Sequence, residues 1–173
     1  MIGETNFDNL KSKINRLVKK GVLISLKKGL YAKSTGYEIL EAANKIYTPS
    51  YISLETILQR NGVTFQDYSH TIFVISYQSR DIKLSDYTIS FRKIKDGILN
   101  NHEGIINEDG YSIASTERAF LDRIYLSGNQ YFDNLDQIDW EKAKELVKIY
   151  NNKTMERRLK SYVDDYQAQL DNE

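Results

Sequence analysis

The sequence contains no cysteine, and this absence excludes several classes of site. Without a thiol, the chain can form no disulfide, no thiolate nucleophile and no cysteine-based zinc site. No apolar run approaches the ~20 residues that a membrane-spanning helix needs. The first residues also lack the charged-then-apolar pattern of a signal peptide. We therefore expect a cytoplasmic protein with no membrane contact.

The few histidines and the scattered glycines argue against an enzyme. His70 and His102 are far apart in the sequence and lack the spacing of metal ligands. The nine glycines form no phosphate-binding loop. Ser115 stands directly before a predicted helix, where a serine is usually an N-cap rather than a nucleophile. We expect no catalytic residue, no cofactor and no metal, and we interpret four nearby charges as structural ion pairs: Glu117, Arg118, Asp122 and Arg123.

Charge is distributed very unevenly along a chain that is neutral as a whole. Residues 1–36 hold eight Lys or Arg and two acidic residues, a net charge of +6. Residues 37–173 hold 16 basic and 22 acidic residues, a net charge of −6. A basic end on a neutral protein indicates a surface for a polyanion such as nucleic acid.

The basic end begins with an amphipathic helix. At roughly 100° per residue, apolar and polar side chains separate onto opposite sides. Thr5 is the expected N-cap, and Gly21 is the expected C-cap. The same pattern also fits a solvated helix with no ligand. The apolar side consists of Phe7, Leu10, Ile14, Leu17 and Val18.

A short basic hairpin follows the helix. Residues 22–26 and 30–33 are predicted strands, and Lys27, Lys28 and Gly29 form the turn between them. A helix followed by such a hairpin is the second half of a winged helix-turn-helix, and only six residues precede the helix here. We interpret residues 1–36 as a partial winged helix-turn-helix. Its apolar stripe must then pack on the later domain, on another subunit or on helices outside this chain.

Residues 37–173 are predicted to form a mixed domain. Its features are helices at 37–47 and 54–61, the latter capped by Ser53, strands at 71–77 and 86–94, a hairpin at 104–114, and helices at 116–127, 139–150 and 154–170. This order predicts an α+β fold, in which a partial winged helix precedes a domain with a small sheet and C-terminal helices.

Three segments, taken together, resemble the AbiEi family of antitoxins. Lys19 to Ala32 (KKGVLISLKKGLYA) looks like the helix-to-wing segment of that family. Ser50 to Leu58 (SYISLETIL) and Ile113 to Leu126 (IASTERAFLDRIYL) are similar to two further family segments, in the same order. The resemblance implies an antitoxin of a type IV toxin-antitoxin system that represses its own operon. It also implies a nucleotidyltransferase-like toxin as partner, which need not form a stable complex with the antitoxin.

The resemblance implies operator DNA, with inverted repeats, as a second partner and allows a homo-oligomer. The N-terminal part of the helix would read the major groove, and the later cations would contact phosphates. An alternative is a truncated relative that acts through protein or RNA contacts without operator binding. The predicted groove residues are Asn9, Ser12, Lys13 and Arg16, and the predicted phosphate contacts are Lys19, Lys20, Lys27 and Lys28.

Overall fold

The computed structural model describes the backbone of residues 7–171 and the side chains of residues 9–171. The predicted cap at Thr5 lies outside these residues. The helices are α1 (Phe7–Lys19), α2 (Ile39–Ile46), α3 (Glu55–Arg60), α4 (Asp96–Leu99), α5 (Thr116–Ser127), α6 (Trp140–Leu146) and α7 (Lys153–Leu170). A 3-10 turn over Val147–Tyr150 follows α6. None of these helices combines the length and the apolar content that a bilayer span requires.

Eight strands form two separate sheets. The strands are β1 (Ile24–Lys27), β2 (Leu30–Ala32), β3 (Ser50–Ile52), β4 (Thr71–Ser76), β5 (Arg80–Leu84), β6 (Tyr87–Lys93), β7 (Ile105–Glu108) and β8 (Tyr111–Ala114). The first two pair as the predicted antiparallel hairpin, and the other six form a mixed sheet in the order β5-β6-β4-β3-β8-β7. The predicted α+β class is confirmed.

The six-stranded sheet has helices on both faces. Side chains directly opposite one another on paired strands point to the same face. One such row faces the end of α2, because the Tyr47 ring lies 4.7 Å from the Phe91 ring. Tyr51 alternates to the other face, where its hydroxyl accepts a hydrogen bond from Arg118 of α5. The row on the α2 side is Phe91, Val74, Ile52 and Ile113.

The prediction for the start of α3 was wrong. Ser53 does not cap this helix, because its hydroxyl donates to Asp122 of α5 instead, at 2.8 Å. Leu54 occupies the cap position with φ at 55°, and no side chain caps the first turn. Gly62, at φ 72°, ends the helix as predicted, since its N–H donates to the carbonyl of Gln59. The strand β3 immediately before α3 was not predicted.

The C-terminal end of α1 follows the sequence prediction. Gly21 adopts a left-handed φ of 71°. Its N–H donates to the carbonyl of Val18, and the N–H of Val22 donates to the carbonyl of Leu17. This pair of bonds is a Schellman motif, which glycine permits because it has no Cβ. The motif turns the chain directly from α1 toward β1.

The apolar stripe of α1 does not pack on the core in the part of the chain that the structure describes. Leu10 is 42% exposed, while Ile14, Leu17 and Val18 are half-buried. None of these side chains belongs to the buried cluster or to the partly buried residues packed against it. The first of the three expected partners for the stripe, the later domain, therefore does not cover it.

Candidate nucleic-acid interface

The polar face of α1 is open to solvent. The helix has 13 residues. At a rise of about 1.5 Å per residue, its length is about 20 Å. At a helical period of 3.6, its basic and polar side chains lie on one side, opposite the apolar stripe. Six of the residues predicted from the sequence to contact DNA are on this side, and all are exposed: Asn9, Ser12, Lys13, Arg16, Lys19 and Lys20.

The cations of this surface form no ion pair with any acidic residue that the structure describes. No ion pair within residues 9–171 involves any of the six predicted cations of α1 and the hairpin. Five of the six are exposed, and their charges can attract a polyanion. The six cations are Lys13, Arg16, Lys19, Lys20, Lys27 and Lys28.

The two wing lysines occupy different environments. Lys28 is exposed at the tip beside Gly29, which has φ of 88°. The ammonium of Lys27 lies 5.0 Å from the centre of the Tyr47 ring, in a cation-π contact. Lys28 is therefore the freer of the two cations, while Lys27 also holds the hairpin against the domain.

The hairpin is anchored to the domain by apolar contacts. Leu26 and Leu30 pack against the buried cluster, and Ala32 is itself buried. Just beyond the hairpin, the Tyr37 hydroxyl lies 2.7 Å from that of Ser85, in the turn between β5 and β6. These contacts fix the hairpin on the domain, and the Schellman motif orients α1 relative to the hairpin.

A second candidate site lies at the start of α5 and is occupied by structural contacts. Ser115 caps the helix as predicted, since its Oγ accepts from the Arg118 N–H at 3.3 Å. The same hydroxyl donates to the Glu117 carboxylate, which also pairs with Lys142 at 2.8 Å. A serine hydroxyl bonded to a carboxylate that already has a cation is arranged for capping rather than for nucleophilic attack.

The Arg118 guanidinium is a charged group on a side chain that is completely buried. Arg118 and Asp122 are both completely buried and form an ion pair at 3.4 Å within α5. Three of the other four guanidinium donors bond to the carbonyl of Glu103 at 3.0 Å, the carbonyl of Ile98 at 2.8 Å and the hydroxyl of Tyr51 at 3.1 Å. One side chain thereby joins α5 to α4, to the loop before β7 and to β3.

The Asp122 carboxylate is also fully used. It accepts from the Ser53 hydroxyl at 2.8 Å and from the Tyr150 hydroxyl at 2.6 Å, in addition to Arg118. A buried ion pair is tolerated only where its remaining donors and acceptors are satisfied in this way. We call the group Arg118, Asp122, Tyr51, Tyr150 and Ser53 the buried network.

Burial shifts the ionisation of the buried network. It raises the pKa of the Asp122 carboxyl above its ordinary value, while the Arg118 charge and the hydrogen bonds from Tyr150 and Ser53 oppose that rise. Burial also raises the pKa of both tyrosine hydroxyls, and the negative charge of Asp122 adds to the effect. Tyr51 and Tyr150 are therefore neutral at neutral pH, and the Tyr150 hydroxyl can donate a hydrogen bond to the Asp122 carboxylate.

Sequence analysis identified the ion pair of the buried network but not the hydroxyl groups that bond to it. The spacing of Arg118 and Asp122 indicated an ion pair, which is confirmed. The other two charges of that set pair outside α5, because Arg123 bonds to Glu55 at 2.6 Å and Glu117 to Lys142. The tyrosines of the network were missed, since nothing in the sequence links β3 to a helix more than 60 residues later.

Comparison with models of known protein families found no match, and comparison with curated proteins found none.

We expect the buried network to dominate the stability of the domain. Replacing Asp122 by alanine leaves Arg118 buried without its carboxylate, so the free energy of unfolding should fall by about 3–5 kcal/mol. Urea denaturation followed by circular dichroism measures this change. As a control, Glu141→Ala removes a carboxylate from the exposed Lys144–Glu141 pair and should cost less than about 1 kcal/mol. Equal losses for the two variants would contradict a structural role for the network.

Proposed function

We propose that this chain is an antitoxin of a type IV toxin-antitoxin system, similar to the AbiEi family. In this proposal it represses its own operon by binding operator DNA, and it counters a nucleotidyltransferase-like toxin in the cytoplasm. The resemblance of three ordered segments supports the assignment. The observation that carries the DNA-binding part is the exposed basic face of α1, which meets no acidic partner within residues 9–171.

In the proposed complex, the N-terminal half of α1 enters the major groove, which is wide enough to admit an α-helix. Arg16 bonds to the O6 and N7 atoms of a guanine, and Asn9 bonds to the edge of an adenine. Ser12 and Lys13 lie on the same exposed face and complete the set of base-contacting residues. These contacts supply sequence preference, because the groove edge of each base pair presents a distinct pattern of donors and acceptors.

The remaining cations bind phosphates and position the protein without reading sequence. Lys19 and Lys20 lie in and just beyond the last turn of α1, and Lys28 lies at the tip of the wing. Lys27 contacts the Tyr47 ring, so in the proposed complex it both positions the wing relative to the domain and contacts a phosphate. In the proposed complex, the wing and α1 therefore contact the duplex at neighbouring positions.

The rest of the chain carries this surface and supplies the antitoxin activity. Its net charge of −6 repels DNA, which restricts DNA binding to α1 and the wing. A type IV antitoxin need not hold its toxin in a stable complex, so the proposal requires no large interface on the domain. The alternative function is that of a truncated relative whose remaining domain acts through protein or RNA contacts without operator binding.

The DNA-binding part is tested with Arg16→Ala. Loss of a bidentate guanine contact should weaken binding to DNA from upstream of the chain's own gene by about 1–3 kcal/mol, or roughly 5- to 150-fold. Binding to unrelated duplex DNA should weaken much less. Fluorescence anisotropy at fixed salt measures both affinities. Arg157→Ala is the matched control, because Arg157 is an exposed arginine on α7 and carries the same charge.

Equal binding of the unaltered protein to upstream and unrelated DNA would contradict operator recognition. Tighter binding to single-stranded RNA than to either duplex would favour the alternative function.

The antitoxin part is tested in cells. Expression of the adjacent gene in the same operon should stop growth of the host, and co-expression of this chain should restore it. Colony counts with and without each inducer measure the rescue. Arg16→Ala should rescue growth as well as the unaltered protein does. The toxin and each version of this chain are expressed from unrelated promoters, so loss of operator binding does not change their expression. Failure of the unaltered protein to rescue growth would contradict the antitoxin assignment and leave the DNA-binding result unaffected.

A further inference from the structure

The apolar stripe of α1 is a helix surface that the core does not cover in the part of the chain that the structure describes. Leu10, Ile14 and Leu17 recur at spacings of four and three residues, which is the a/d pattern of a coiled-coil seam. Leu10 is 42% exposed, and the other two are half-buried without joining the core. We call these three residues the α1 seam. The seam lies on the other side of α1 from Ser12 and Arg16.

A helix gains little stability from its apolar seam while that seam is uncovered. A helix of 13 residues is marginally stable in water, because most helical stability in proteins comes from packing of the apolar face. Contact with DNA on the polar face would leave the seam in water. A further helix packed on the seam would bury it and would stabilise α1 at the same time.

The flanks of the seam determine the charge of the helix that fits it. Lys11 lies along one side of the seam, and Lys13 and Lys20 lie along the other, all three exposed. In paired helices, the residues that flank the apolar seam select the partner by charge. A partner helix with acidic flanks would pair with these lysines, whereas a basic partner would be repelled.

The same charges argue against a second copy of this chain as the occupant. Residues 1–36 carry a net charge of +6, so a symmetric pair of α1 helices would bring two strongly positive segments together. The occupant is therefore better supplied by a different protein of opposite charge.

We propose that the α1 seam binds an acidic amphipathic helix of a partner protein. The partner helix lays its own apolar stripe along Leu10, Ile14 and Leu17, and its acidic flanks pair with Lys11, Lys13 and Lys20. The proposal does not rest on the proposed function, because the apolar contacts of the site are made by Leu10, Ile14 and Leu17 and not by the groove-reading residues. Lys13, a proposed base contact, and Lys20, a proposed phosphate contact, border both surfaces, so occupation of the seam would also weaken DNA binding.

Three synthetic peptides of three heptads test the proposal with the full chain. The first has leucine at a and d and glutamate at e and g, the second replaces those leucines by serine, and the third replaces the glutamates by lysine. Fluorescence anisotropy of labelled peptides measures each affinity. The acidic peptide with leucines should bind at least tenfold tighter than either of the others, because only this peptide satisfies both the seam and its flanks.

Two variants locate the binding on α1. Leu10→Ser with Leu17→Ser should weaken binding of the acidic leucine peptide at least tenfold, while Asn15→Ala, on neither the seam nor the groove-reading face, should leave it unchanged. Lys11→Glu with Lys13→Glu keeps the seam intact and should shift preference to the lysine peptide. This reversal tests the proposal even if the serine variant disturbs the helix.

Other outcomes would overturn the proposal. Equal binding of the serine peptide would show that charge alone attracts the peptide, and absence of binding by all three would exclude a helix site. Light scattering after size-exclusion chromatography provides the remaining test. A dimer of the unaltered chain that Leu10→Ser with Leu17→Ser converts to a monomer would assign the seam to a second copy and refute a heterologous partner.

Discussion

The domain depends on one buried charge, the Arg118 guanidinium, and on the groups that satisfy it. Burying a charge is costly, and the cost is offset here because Asp122, Tyr51 and two backbone carbonyls accept its hydrogen bonds. Asp122 is satisfied in turn by Ser53 and by Tyr150, at the end of the 3-10 turn. The central strand β3, the helix α5 and the approach to α7 are thereby held in one arrangement.

That arrangement is connected to the basic surface by successive contacts. Tyr51 belongs to β3, which follows α2 in the chain. The hairpin contacts this part of the domain through Leu26, which packs against the buried cluster, and through Lys27, which contacts the Tyr47 ring. The Schellman motif at Gly21 then orients α1 on the hairpin. A support of this kind suits the groove and phosphate contacts that we propose for this surface. The basic end is therefore attached to the domain by specific contacts, although its apolar seam remains uncovered.

Sequence analysis succeeded where the signal is local and periodic. The stripes of α1 and α7, the cap at Ser115 and the apolar run of β4 all follow from residues within one element. It missed β3, β5 and α4, because β3 has three residues, β5 is a polar edge strand and α4 is a single turn. The hydroxyl of Ser53 was assigned to a cap because the competing acceptor, Asp122, is 69 residues away. The half-burial of Lys27 against the Tyr47 ring is a tertiary property, which no periodicity could supply.

The most direct test of the account is a nuclear magnetic resonance titration of the isotope-labelled full chain with operator duplex. Amide shifts should concentrate in residues 9–20 and at Lys27 and Lys28, while the amides of Arg118 and Asp122 should not move. A scrambled duplex of the same composition should cause smaller shifts at Asn9 and Arg16. Shifts centred on α5, α6 or α7, with residues 9–20 unchanged, would contradict the claim that the basic end is the DNA-binding surface.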